Sequence, residues 1–179
     1  MGLTKYNKRA LTVATIAAFI TGSGAYILGN ISGYEAKDLI KASLPGINTL
    51  CNTIVLASAT ILALLLTLLS ISSGSKSKLS ENHYLHVLII ARVDTIVFVS
   101  SMIAFQIFNI PITEAEDVPS NWYSYIYYIT LGTSAILSGG LIGVVLMLFN
   151  AVSSIIKIVG LGIQDHPLIR DEDEDEDSD

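Results

Sequence analysis

Three long stretches of this chain contain no charged side chain: between Arg9 and Glu35, between Lys41 and Lys76, and between Asp117 and Lys157. A fourth apolar stretch, 84–110, holds only two formal charges, Arg92 and Asp94. A bilayer core about 30 Å thick takes roughly 20 apolar residues to cross as a helix at 1.5 Å per residue. Each stretch is long enough. The pattern predicts an all-α integral membrane protein, a four-transmembrane-helix bundle with spans at 10–29, 47–71, 84–110 and 122–149.

The chain has 179 residues, 51% of them apolar, so the spans leave room for one bundle and no separate soluble domain. A soluble domain of this size would carry a polar face on every helix. The lone cysteine, Cys51, excludes an internal disulfide.

The net charge of −6 is unevenly placed, since eight of the sixteen acids fall within 171–179. Ten basic residues against the eight remaining acids leave the rest at +2. Residues 160–179 therefore read as an acidic tail that repels itself and cannot bury apolar surface, expected to be disordered.

Orientation follows from the basic residues. Lys5, Lys8 and Arg9 occupy the arm 1–9, Lys76 and Lys78 the middle connection, and Lys157 and Arg170 the far end. The other two connections offer only Lys37 and Lys41. The positive-inside rule puts both termini in the cytoplasm, in an inner or plasma membrane. The run 10–20 followed by Ser23-Gly24-Ala25 also resembles a signal peptide. The uncharged stretch continues to Tyr34, which favours a retained span.

Between the first two spans, Ser32-Gly33-Tyr34-Glu35 has capping-box spacing. Ala36, Leu39, Ile40, Ser43 and Leu44 then share one helical face, and Pro45-Gly46 is expected to end the element. This predicts a short amphipathic helix lying on the outer surface. The segment 72–80 is a Gly/Ser/Lys linker. Pro111 closes the third span, and Ser120 or Asn121 is the expected cap of the fourth. Trp122, Tyr123, Tyr125, Tyr127 and Tyr128 form an aromatic belt of the kind found at membrane interfaces. The fourth uncharged stretch exceeds the bilayer, so the helix is expected to extend to about 159 beyond the membrane.

Arg92 and Asp94 are the sharpest functional signal. They fall roughly 12–15 Å along the third span, where each charge costs up to about 2.5–3.5 kcal/mol. Arg92 can snorkel toward the headgroups, whereas the short Asp94 cannot. Two residues apart, they occupy nearly opposite helix faces. Depth counting sets Thr21, Thr60 and Ser138 at the same level, and the expected polar layer is Arg92, Asp94, Thr21, Thr60 and Ser138. It reads as a proton site, ion site or gate, or else as a structural clamp.

Ala135, Gly139 and Gly143 recur every four residues, a small-residue stripe suited to helix packing or oligomerisation. Glu114, Glu116 and Asp117 could form an outer vestibule that concentrates cations. His83 and His86, near Glu81, fall short of a metal-ligand set. No nucleotide loop, metalloprotease helix or paired-cysteine redox motif is present, and no cofactor, metal or nucleic acid is indicated. The sequence thus points away from an enzyme. It favours an oligomeric channel or pore-like membrane component. Two alternatives are a scaffold or accessory subunit that docks a cytosolic protein through its C-terminal segment, and a small proton-coupled transporter. The lipid bilayer and further copies of the chain are the expected partners.

Overall fold

The computed structural model describes residues 5–27, 33–74, 81–111 and 119–157. Every regular element among them is a helix: α1 (Lys5–Ile27), α2 (Gly33–Gly74), α3 (Glu81–Phe108) and α4 (Ser120–Ile155). Three contain segments long and apolar enough to cross a membrane, at Glu35–Ile71, Tyr84–Phe108 and Asn121–Ile155. Much of their outward surface is apolar, with Leu66 70%, Ile136 71% and Phe149 65% exposed. Surface of that kind suits hydrocarbon, because a water-soluble monomer rarely exposes apolar patches of such extent.

The packing is a core of α2, α3 and α4 with α1 laid against one flank. Contacts join α4 to all three other helices and α2 to α3, while α1 touches α4 alone among the described residues. A closed ring of four helices is therefore not formed. The reason lies in the side chains: Ala14, Ala18 and Gly22 of α1 match the small residues of α4. The remaining faces of α1 carry exposed Leu11, Ile16, Phe19 and Ile20. The starts of α1 and α3 and the ends of α2 and α4 share one end of the molecule, called here the lower end.

Helix α2 corrects one expectation from sequence. Pro45-Gly46 does not end a short surface helix, since α2 runs through Pro45 for 42 residues. Proline removes one backbone donor and crowds the carbonyl four residues earlier. Pro45, Gly46 and Lys41 are all exposed, so the loss falls on the outer side of the helix. The Thr49 hydroxyl donates to the Pro45 carbonyl at 2.8 Å. Tertiary packing holds the segment before Pro45 helical. Ala36 and Ile40 are buried against Tyr123 and Tyr127 of α4, with Leu39 and Leu44 beside them. The apolar face read from the sequence is real, but what covers it is α4. Lys37 Nζ stands 5.3 Å from the centre of the Tyr123 ring, adding a cation–π contact.

The aromatic cluster is split by the same packing. Tyr123 and Tyr127 turn inward, while Trp122, Tyr125 and Tyr128 are exposed. Pro119, rather than Ser120 or Asn121, takes the N-cap position of α4, and no side chain caps it. Its carbonyl accepts from the Trp122 amide at 2.9 Å, which starts the helix directly.

Candidate polar site in the seam between α2 and α3

Beyond Ala36 and Ile40, the buried positions of α2 are Ile47, Cys51, Ile54, Ser58, Ile61, Leu65 and Leu68. Those of α3 are Val87, Ile90, Asp94, Val97, Ser101 and Ala104. Both sets alternate steps of four and three, the heptad spacing that keeps one stripe facing a partner helix. Ser101 fixes the register by donating its hydroxyl to the Cys51 carbonyl at 3.0 Å. Nearer the upper end, Asn48 Nδ2 donates to Asn109 Oδ1 at 3.2 Å. Residue numbers rise on one helix as they fall on the other, so the pair is antiparallel.

One heptad below Ser101 and Cys51, the same register opposes Asp94 to Ser58. Both are 0% exposed. The serine side chain lies within reach of the carboxylate, but the atoms do not meet in hydrogen-bonding geometry. Both Asp94 carboxylate oxygens and the Ser58 hydroxyl have no hydrogen-bond partner. Thr49, Thr53, Thr60 and Thr67 on α2 each return their proton to a carbonyl one turn back. The Ser58 hydroxyl makes no such bond. It is the side chain that sequence reasoning missed, and the heptad phase 51–54–58–61–65 is the signal that finds it.

The walls of the site are apolar. Ile54, Ile61, Ile90 and Val97 are buried on either side along the seam. Helix α4 approaches closely one turn above, where a Cβ placed on Gly140 would stand 3.0 Å from Val97 Cγ2. An unpaired buried charge costs several kcal/mol even after relaxation, and an unpaired hydroxyl adds its own penalty. The polar pair is therefore chemically incomplete. A proton or a small cation on the carboxylate, solvated by Ser58, would complete it.

The other residues of the expected layer lie elsewhere. Arg92 is exposed on the outer face of α3 and makes no hydrogen bond or ion pair with a described residue. Thr60 and Thr21 are also exposed, bonded to the Leu56 and Ala17 carbonyls of their own helices. Ser138 is half-buried on α4. Only Asp94 among these five is enclosed. Thr60 is displaced because two residues from Ser58 turn a helix by about 200°.

The small-residue stripe of α4 faces α1. A Cβ on Gly139 would meet the Ala14 carbonyl oxygen at 2.8 Å and Ala18 Cβ at 2.9 Å, and one on Gly143 would meet Ala14 Cβ at 3.1 Å. Gly22 faces Ala135 Cβ across the same interface. Glu114, Glu116 and Asp117, the expected outer vestibule, lie outside the described residues, as do the acidic tail and the side chain of His83. Among the described residues no group of three metal-ligating side chains comes together.

No protein-family model, curated protein or solved structure matches the chain.

Proposed function

We propose that this chain is an integral membrane protein crossing the bilayer four times, with α1 as the fourth span and both termini inside. In this reading it handles protons or small cations, working as a homo-oligomeric gated pore or carrier whose ion-binding group is Asp94. One observation carries the reading: a carboxylate fully enclosed within a membrane-type helix seam, its oxygens unpartnered, opposite a serine whose hydroxyl is equally unpartnered. Ionisable groups at such depth are costly, and membrane proteins place them along ion and proton pathways.

In this reading the buried apolar side chains above and below Asp94 would bar an ion until the helices part. Ion passage requires α3 to move against α2 or α4, admitting water to the carboxylate. That favours a gated or alternating device over a permanently open channel. A non-conducting scaffold is the second reading, and α4 favours it. Its 36 residues reach about 54 Å, well past the hydrocarbon core, and would present a helical end to cytosolic proteins.

Flux measurement separates the two. The full chain is reconstituted in liposomes, and proton and potassium movement are followed under an imposed gradient. The ion-handling reading expects flux from the wild type and none from Asp94→Asn. Wild-type flux that survives the substitution removes Asp94 from the pathway. A folded wild type that moves neither ion leaves the scaffold reading.

A further inference from the structure

Asp94 and Ser58 bring three free oxygens together in the seam: the two of the carboxylate and the one of the hydroxyl. Other hydroxyls of these helices are held elsewhere. Ser101 donates to the Cys51 carbonyl, Ser134 to the Thr130 carbonyl, and Thr60 to the Leu56 carbonyl on the exposed side of α2. Helices α2 and α3 run unbroken through this level, so their backbone carbonyls are engaged in helix bonds. Transporter sites for sodium draw on unwound helix, where carbonyls are released. Neither helix is unwound here.

The rest of the enclosure is hydrocarbon. Ile54 and Ile61 flank Ser58 on α2, and Ile90 and Val97 flank Asp94 on α3, all four buried. Helix α4 runs antiparallel to α3, with Gly140 against Val97. By that register Val144, 0% exposed one turn further down, comes to the level of Asp94. No fixed charge faces the carboxylate from any of these helices. Sequence between Lys41 and Lys76 on α2 is uncharged, as is all of α4. The inward tyrosines of α4, Tyr123 and Tyr127, pack at the upper end on Ala36 and Ile40. Cys51 lies one heptad up the seam. On α3 itself, Arg92 is exposed on the outer face and half-buried His86 lies about two turns below.

A metal cation stripped of water needs more oxygens than this pair supplies. Magnesium takes about six and calcium about six to eight, and potassium filters surround the ion with carbonyls. A proton needs only the oxygen that bears it and one acceptor.

We propose that the Asp94–Ser58 pair is a proton site that takes no metal cation, and that the closed seam is its proton-loaded state. A proton from water converts the carboxylate to a neutral carboxylic acid. The acid O–H donates to the Ser58 oxygen, and the Ser58 hydroxyl turns to the Ile54 carbonyl one turn back, as the threonines of α2 do with theirs. Both groups are then satisfied, and no charge remains in the seam. Release returns the proton to water and leaves an ionised carboxylate, which the apolar walls accommodate only by opening to solvent. What the proton does rests on the ion-handling reading, but its presence can be read without any flux.

Infrared spectroscopy of the full chain in lipid at neutral pH reads the occupant through the carbonyl stretch of a protonated carboxylic acid. The band should be present in the wild type, lost in Asp94→Asn and shifted in Ser58→Ala. Isotope-labelled aspartate in the wild type should move the same band, which serves where Asp94→Asn fails to fold. Replacing choline chloride by sodium or potassium chloride, at the same pH and ionic strength, should leave it unchanged. Proton flux into liposomes should run at the same rate in all three media. Absence of the band, or its loss on adding either metal cation, overturns the proposal. So does sodium or potassium flux that Asp94→Asn abolishes. A band that Ser58→Ala leaves unmoved overturns the pairing with Ser58. A band present in a chain that moves no ion upholds the proton site and sinks the ion-handling reading, a distinct outcome.

Discussion

Asp94 of α3 faces Ser58 of α2 one heptad below the point where Ser101 grips the Cys51 carbonyl, and the two pairs differ in one respect. The upper pair is joined by a 3.0 Å hydrogen bond, whereas the lower pair leaves every side-chain oxygen unsatisfied. The seam is thus fixed at one level and unsatisfied at the next.

That contrast sets the first prediction. Replacing a buried unpaired acid by an apolar residue of similar size removes a desolvation cost and is often neutral or stabilising by about 1–4 kcal/mol. Asp94→Leu should unfold at the same or a higher denaturant concentration than the wild type, while ion flux is lost. A variant that is strongly destabilised would mean that Asp94 clamps the helices instead.

Ser101→Ala removes the bond that sets the register. Side-chain hydrogen bonds between membrane helices are worth about 0.6 kcal/mol on average and up to about 1.7. Unfolding titrations in mixed micelles should show a loss within that range. Thr60→Ala, whose hydroxyl bonds only its own helix, should show none.

The glycines of α4 should rank by the space around them. Gly139→Ala would press a methyl onto the Ala14 carbonyl oxygen, Gly143→Ala would crowd Ala14 Cβ less severely, and Gly132→Ala meets nothing within 4 Å. A disulfide engineered between Gly22→Cys and Ala135→Cys in a Cys51→Ser background reports whether α1 is docked. Its yield should fall most with Gly139→Ala, less with Gly143→Ala, and not at all with Gly132→Ala. Oligomer size should be unchanged by Gly139→Ala, because the stripe is used within the chain.

Pro45→Ala should restore the backbone bond to the Lys41 carbonyl. A proline in a helix interior costs up to about 3 kcal/mol relative to alanine, so the variant should be more stable. Amide exchange in the turn 41–45 should slow. Unchanged exchange there would show that the turn is already fully bonded by other means.

How much of this was legible in the sequence depends on which length scale carried the signal. The apolar helices follow from three uncharged stretches and one holding only Arg92 and Asp94, since that constraint belongs to composition over a whole span. The enclosed face of α3 could be read in part, because Asp94 cannot reach either surface. Ser58 was harder to find: counting depth along α2 selects Thr60, and only the heptad phase separates two hydroxyls so close in sequence. The continuation of α2 through Pro45 was hidden because proline usually ends a helix in water. Here Ala36 and Ile40 pack on Tyr123 and Tyr127, and the helix continues. The docking of α1 on α4 alone is a pairwise match of small residues, and neither helix announces its partner.

The isolation of α1 also bears on how the molecule is made. A ribosome delivers this helix before the other three described ones, yet its one described neighbour, α4, comes after both α2 and α3. Until then α1 has nothing to dock on, and the α2–α3 hairpin assembles without it. Assembly should therefore finish only after translation of α4, with the earliest segment waiting longest to find its place.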